Sequence, residues 1–163
     1  KINGCHVIDL LFFIFGDLTL INSVKLKKNI GYNFLLKSKK GFISCLLNWG
    51  APENFEINIY NEANKRVQLR PLENASFFSS MKKIEPTKKY PIRTYVPKLE
   101  KEVSCVNKNL KYKPGFYKQY LEIKSLLNNK VKLNNKMNIS NLDQAIKVLK
   151  IIEKIIQTSK SKL

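Results

Sequence analysis

Tyr32-Asn33-Phe34-Leu35-Leu36-Lys37-Ser38-Lys39-Lys40-Gly41-Phe42-Ile43-Ser44-Cys45-Leu46-Leu47-Asn48-Trp49 is the stretch on which the fold turns. Lys39-Lys40-Gly41 has the composition of a turn. Behind it Ile43, Cys45, Leu47 and Trp49 alternate with Ser44, Leu46 and Asn48. Successive side chains of an extended strand point to opposite faces, so a period of two predicts a hairpin, with 32–36 running out and 42–49 running back.

The same period continues on both sides. Upstream, Leu18, Leu20, Val24 and Leu26 share one parity; downstream, Phe55, Ile57 and Ile59 alternate with Glu56, Asn58 and Tyr60. Asn61 to Asn64 turns the chain, and Val67 and Leu69 pair back. Alternation between sequence neighbours implies an antiparallel meander with one wetter face. Pro86, Pro91 and Pro97 interrupt 79–113, leaving Arg93-Thr94-Tyr95-Val96 as a short edge strand.

Helical patterns flank the strands. Cys5 to Phe15 is apolar on nearly every side and is closed by Gly16 in a C-cap position, which predicts a helix buried from both faces. Phe116, Tyr120, Ile123 and Leu127 share one helical face. Ser140 and Asp143 read as a capping box ahead of a stripe of Leu142, Ala145, Ile146, Leu149, Ile152 and Ile156. The expected architecture is α+β: a largely antiparallel open sheet of about five or six strands with helices on one face. One domain over 1–163 would hold a helix at about 5–15, strands at about 18–97, and helices at about 115–128 and 141–158. Nowhere does a strand lead through a glycine-rich turn into a helix, so the chain brings no nucleotide fold of its own.

At 163 residues with 44% hydrophobic content, the chain is long enough for a core. No run reaches the ~18 apolar residues of a membrane span, because Val7 to Phe15 already contains Asp9. No signal-peptide pattern follows, so the expected compartment is the cytoplasm and no membrane partner is expected. The net charge of +18 would suit nucleic acid or other anions. Yet only Arg66, Arg70 and Arg93 are arginines among 30 cations, and Asn reaches 18 residues. An AT-rich coding sequence inflates Lys and Asn together, and the scatter of Tyr60, Tyr90 and Tyr95 among the lysines argues against a nucleic-acid platform. A basic nucleic-acid or anion-binding module without enzymatic activity is the alternative reading. Cys5, Cys45 and Cys105 have no metal-ligand spacing and are expected to be reduced thiols.

His6 is the sole histidine, which excludes a two-His metal site. Its bland role is a helix-start histidine making one local hydrogen bond. Three residues on, Asp9 falls on the same helical face and is placed to hold the ring, while Gly4 permits close approach of a backbone or ligand.

Gly4-Cys5-His6-Val7-Ile8-Asp9-Leu10-Leu11 followed by Phe12-Phe13-Ile14-Phe15-Gly16 resembles the start of the second domain of the Gfo/Idh/MocA oxidoreductases. The resemblance continues through Lys39-Lys40-Gly41 feeding Phe42-Ile43-Ser44-Cys45, through Tyr112-Lys113-Pro114-Gly115-Phe116-Tyr117-Lys118-Gln119-Tyr120, and through Asp143-Gln144-Ala145 to Ser159. These are two-domain NAD(P)-dependent enzymes acting mostly on sugars and sugar nucleotides. The resemblance implies that His6 is the active-site histidine, positioning a substrate hydroxyl or assisting its proton transfer. It implies that Asp9 is structural or supports a group touching substrate, as Gly4 would. The family's aspartate four residues before the histidine is replaced here by Ile2. By the same resemblance the chain is a C-terminal substrate-binding and dimerisation domain lacking its N-terminal Rossmann domain. The absent Met and the immediate buried helix suit a fragment. NAD or NADP would serve the complete enzyme and is not expected on this chain alone. A sugar or nucleotide sugar is the expected substrate. A homo-oligomer is expected through the sheet face, with an exposed apolar surface drawn from the Cys45, Leu47 and Trp49 series.

Overall fold

The computed structural model describes residues 2–27, 30–104, 115–128 and 141–160. Cys105, the segment 112–114, the Lys/Asn tract at 129–138 and Ser140 lie outside them. In chain order the elements are α1 (Ile2–Phe15), β1 (Thr19–Lys25), β2 (Gly31–Ser38), β3 (Gly41–Asn48), β4 (Ile57–Tyr60), β5 (Arg66–Leu69), β6 (Asn74–Ile84), β7 (Thr94–Ser104), α2 (Phe116–Leu127) and α3 (Leu142–Lys160). The chain divides into two compact units, Lys1–Pro52 with Lys136–Leu163, and Glu53–Asn135.

The α+β class and the antiparallel pairing are as the alternation predicts. The single open sheet is not: among the described residues seven strands form two separate sheets, ordered β1-β2-β3 and β4-β5-β6-β7. Strand 74–84 escaped the sequence reading because Ser79-Ser80 and Lys82-Lys83 interrupt its alternation. Pro97 sits inside β7 rather than ending it, opposite Met81. β7 is the last of the described strands in its sheet, and an edge strand tolerates a residue with no N–H.

In the first unit the hairpin closes at Lys39-Lys40, with Ser38 paired to Gly41. Lys40 N–H donates to the Ser38 hydroxyl at 3.0 Å. One face of this sheet, carrying Phe34, Leu36, Ile43 and Cys45, meets Ile8, Leu11 and Phe12 of α1 and Val148, Ile151 and Ile155 of α3. Leu36 at its centre is 0% exposed. α3 lies against both β1 and α1.

Three local expectations fail here. A bulge between Leu20 and Asn22 inserts one residue into β1, so Ser23 opposes Phe34 in the core while Val24 opposes Asn33 and is exposed. Leu20 and Val24 therefore do not share a face. On β3, Cys45 is buried and Leu47 packs against the core, while Phe42 (70% exposed) and Leu46 form the open apolar surface. The apolar face expected from the Cys45 series is thus the inner one, although Trp49 at its end is exposed. On α3 the buried stripe is Val148, Ile151, Ile155 and Ser159, and Leu142, Ile146 and Leu149 point outward.

In the second unit, directly paired residues define an apolar face. Ile57, Leu69, Ala75 and Val103 form one row across the four strands, and Ile59, Val67, Phe77 and Lys101 the next. None of these residues is buried. The opposite face carries Asn58, Gln68, Ser76 and Glu102 in one row and Tyr60, Arg66 and Phe78 in the next. There the Glu56 carboxylate accepts from Gln68 Nε2 (2.8 Å) and Asn58 Nδ2 (2.5 Å) and pairs with Arg70 (3.1 Å). Those donors hold its carboxyl below the ordinary range. Arg66 stacks over the Phe78 ring at 4.1 Å. Asn61 to Asn64 makes the expected turn, with Asn64 at a φ of 55°. Phe116, Tyr120, Ile123 and Leu127 of α2 are all exposed.

Candidate functional site

α1 is apolar enough to be pinned on the first unit's core, yet it is not buried all round as its composition predicts. Among its described side chains His6 and Phe13 are exposed and the others are buried or half-buried. A 14-residue helix makes nearly four turns, and among its described side chains the ridge running from His6 towards Phe13 stays outside the packing.

The three residues singled out in the sequence do different jobs. Gly4 is buried, and a Cβ placed there would stand 3.4 Å from the Trp49 ring and 3.7 Å from Leu47. The close approach it permits is that of a side chain from the hairpin. Asp9 accepts from Gln144 Nε2 on α3 at 2.9 Å. His6, one turn earlier, projects outward.

Gln144 is the residue sequence reading missed. Asn141 caps α3, its Oδ1 accepting from the Gln144 N–H at 2.8 Å. The cap fixes Gln144 in the first turn, and its side chain crosses to Asp9. An N-cap asparagine three residues before a glutamine was a usable signal, obscured by the neighbouring serine and aspartate.

The C-terminal end of α1 is closed by polar contacts. Gly16, at a φ of 79°, donates its N–H to the Phe12 carbonyl at 2.8 Å. Lys40 Nζ donates to the Ile14 carbonyl at 2.7 Å, placing a cation at the negative end of the helix. Asp17 pairs with Lys147 of α3 at 2.8 Å. The Lys147 hydrogen bond and charge hold the Asp17 carboxyl below its ordinary value, and Asp17 raises the Lys147 ammonium in return. An open cleft of about 750 Å³ lies here, with Phe12, Phe13, Asp17, Gln144 and Lys147 among its walls. His6 is not part of it.

Burial pushes the Cys45 thiol up to about 12. Among the described residues no three His, Cys, Asp or Glu side chains come together as metal ligands. Among the described residues all strand pairs are antiparallel, and no glycine-rich turn joins a strand to a helix N-terminus. Compared with known protein families, curated proteins and solved structures, the chain matches none.

Proposed function

We infer that the chain is the substrate-binding and oligomerisation half of an NAD(P)-dependent oxidoreductase of the Gfo/Idh/MocA type, acting on a sugar or nucleotide sugar. The observation that carries this reading is the exposure of the sole histidine on a helix whose other described side chains, Phe13 excepted, are buried or half-buried. An imidazole can donate and accept a hydrogen bond at once, as presenting and deprotonating a substrate hydroxyl requires. The Asp9–Gln144 bond supports the reading by tying α1 to α3 one turn away. On this proposal the nicotinamide, held by a separate Rossmann domain, supplies the hydride acceptor. This chain's part is to bind and orient the sugar through His6. The half-exposed apolar rows of β4 to β7 support a second copy of the chain as the oligomeric partner.

Calorimetry with a panel of nucleotide sugars and free sugars tests the reading. Trp49 fluorescence is a parallel readout because its ring lies against Gly4. One ligand class is expected to bind, and His6→Asn to weaken it at least tenfold. Failure of the whole panel, or equal affinity of the variant, would sink the assignment. Micromolar binding of NAD(H) or NADP(H) to this chain would overturn the placement of the cofactor elsewhere.

A further inference from the structure

β6 and β7 keep pairing after β5 has stopped. The last β5 partner on β6 is Phe78, whereas β6 and β7, past a register shift at Ser79 and Ser80, pair again from Met81 and Pro97 to Ile84 and Thr94. At about 3.3 Å per residue a two-stranded arm therefore extends roughly 20 Å past the third strand. Thr87 and Tyr90 close its end by exchanging backbone hydrogen bonds of 2.8 and 3.1 Å, leaving Lys88 and Lys89 as the two central residues of the turn.

The segment 79–98 carries Lys82, Lys83, Lys88, Lys89, Arg93 and Lys98 against one acid, Glu85, a net charge of 6 − 1 = +5. Residues 80–98 are all exposed. Glu85 is engaged by Lys83 (2.6 Å) and Arg93 (3.0 Å), which leaves the apex charge of Lys88 and Lys89 uncompensated by it.

Cations alone would suit any polyanion, so the apolar side chains decide. Ile92 is 74% exposed, and Tyr90, Tyr95 and Met81 are each more than half exposed, all within the same segment. Isoleucine and methionine gain nothing from phosphates in water. Beside an anionic bilayer they gain the interfacial layer, tyrosine prefers that depth, and lysines keep their ammonium groups among the headgroups. We propose that the arm is a peripheral docking element for an anionic lipid surface, with Lys88 and Lys89 meeting headgroups and Tyr90 and Ile92 entering the interface. The expectation of no membrane partner rested on the want of a spanning run, which surface docking does not need. Among the described residues no helix is long and apolar enough to cross a membrane. The proposal is independent of the oxidoreductase reading.

Vesicle co-sedimentation of the full chain tests it, using phosphatidylcholine with about one-third phosphatidylserine against phosphatidylcholine alone, in about 0.1 M salt. The chain is expected to bind the anionic vesicles only. Each cation near the surface contributes about fivefold, so Lys88→Gln with Lys89→Gln should weaken binding about 25-fold. Ile92→Ser should weaken it with an unchanged salt dependence. Lys150→Gln with Lys154→Gln removes the same charge from α3 and should change affinity less than twofold. No binding, equal binding to neutral vesicles, or an equal loss in the α3 variant overturns the proposal. So does a duplex oligonucleotide that binds at least as tightly and is indifferent to Ile92→Ser, which would assign the arm to nucleic acid.

Discussion

Gly31→Ala is the substitution for which the structure sets the sharpest cost. A Cβ at residue 31 would lie 1.7 Å from the Leu47 carbonyl oxygen and 2.7 Å from its carbon. Carbon and oxygen ordinarily approach no closer than about 3.3 Å, so β2 and β3 must separate locally by more than about 1 Å. The obstacle is backbone on both sides, and no rotamer change relieves it. Separation there endangers the Trp49 N–H to Ile30 carbonyl bond (2.8 Å) and the Leu26 N–H to Gly31 carbonyl bond (2.9 Å). Two backbone bonds at about 1 kcal/mol each, with about 1 kcal/mol or more of strain, give a loss of about 3 kcal/mol. The stiffer unfolded chain offsets only about 0.5–1 kcal/mol of it. Trp49 is the only tryptophan and belongs to the first unit, so urea unfolding followed by its fluorescence reads this unit directly. Gly50→Ala is the control: its nearest neighbour is the Asn48 side chain at 3.7 Å, and its midpoint should hardly move. A Gly31→Ala protein within about 0.5 kcal/mol of the parent would refute the steric argument.

Leu36→Ala should destabilise the same transition by about 2–5 kcal/mol, since the residue is fully buried between both helices and the sheet. Ser23→Ala should stabilise it by about 1 kcal/mol, because the buried Ser23 hydroxyl has no hydrogen-bond partner among the described residues; a loss on urea titration would indicate that one exists. Lys147→Met should return Asp17 to an ordinary carboxylate titration by NMR. Because the Asp17 carboxyl is lowered in the folded chain, its stabilising contribution is present above about pH 4 and lost as pH falls further. Cys45, with its thiol raised to about 12, should resist a thiol reagent at pH 8 until the first unit unfolds. Its contribution to stability is complete below the unfolded thiol value of 9.0 and lost as pH climbs towards 12. Cys45→Ser leaving the fast labelling stoichiometry unchanged would support this, and a fast-labelling Cys45 would contradict it.

What could be read in advance follows from how local its cause is. The 38–41 turn, the 61–64 turn and the 57–69 hairpin are set by neighbouring residues, and the structure has all three. The Leu20–Asn22 bulge is a register event between two strands, and nothing in 19–25 announces that parity changes there. α3 offers two apolar stripes, one through Val148, Ile151 and Ile155 and another through Leu142, Ile146 and Leu149. Only the shape of the surface it meets selects between them. The division into two sheets depends on which strands end up paired, and pattern along one strand is silent on that. At the site, His6 and Asp9 were visible as a helical pair, whereas the Asn141 cap marks only where Gln144 starts its helix, and its contact with Asp9, 135 residues away in sequence, is set by packing.

The first unit is sewn from both ends of the described chain, with the second unit lying between its pieces in sequence. During synthesis its sheet and α1 emerge long before the helix that roofs them. About 90 residues, or roughly 5–20 s of translation, separate the end of β3 from the start of α3. Through that interval Ile8, Leu11, Leu36 and Ile43 wait without Val148, Ile151 and Ile155. The second unit, contiguous along the chain, can complete its four-stranded ladder meanwhile. A ribosome halted before residue 141 would therefore display a finished ladder in one unit and an open greasy cleft in the other, the species that chaperones recognise.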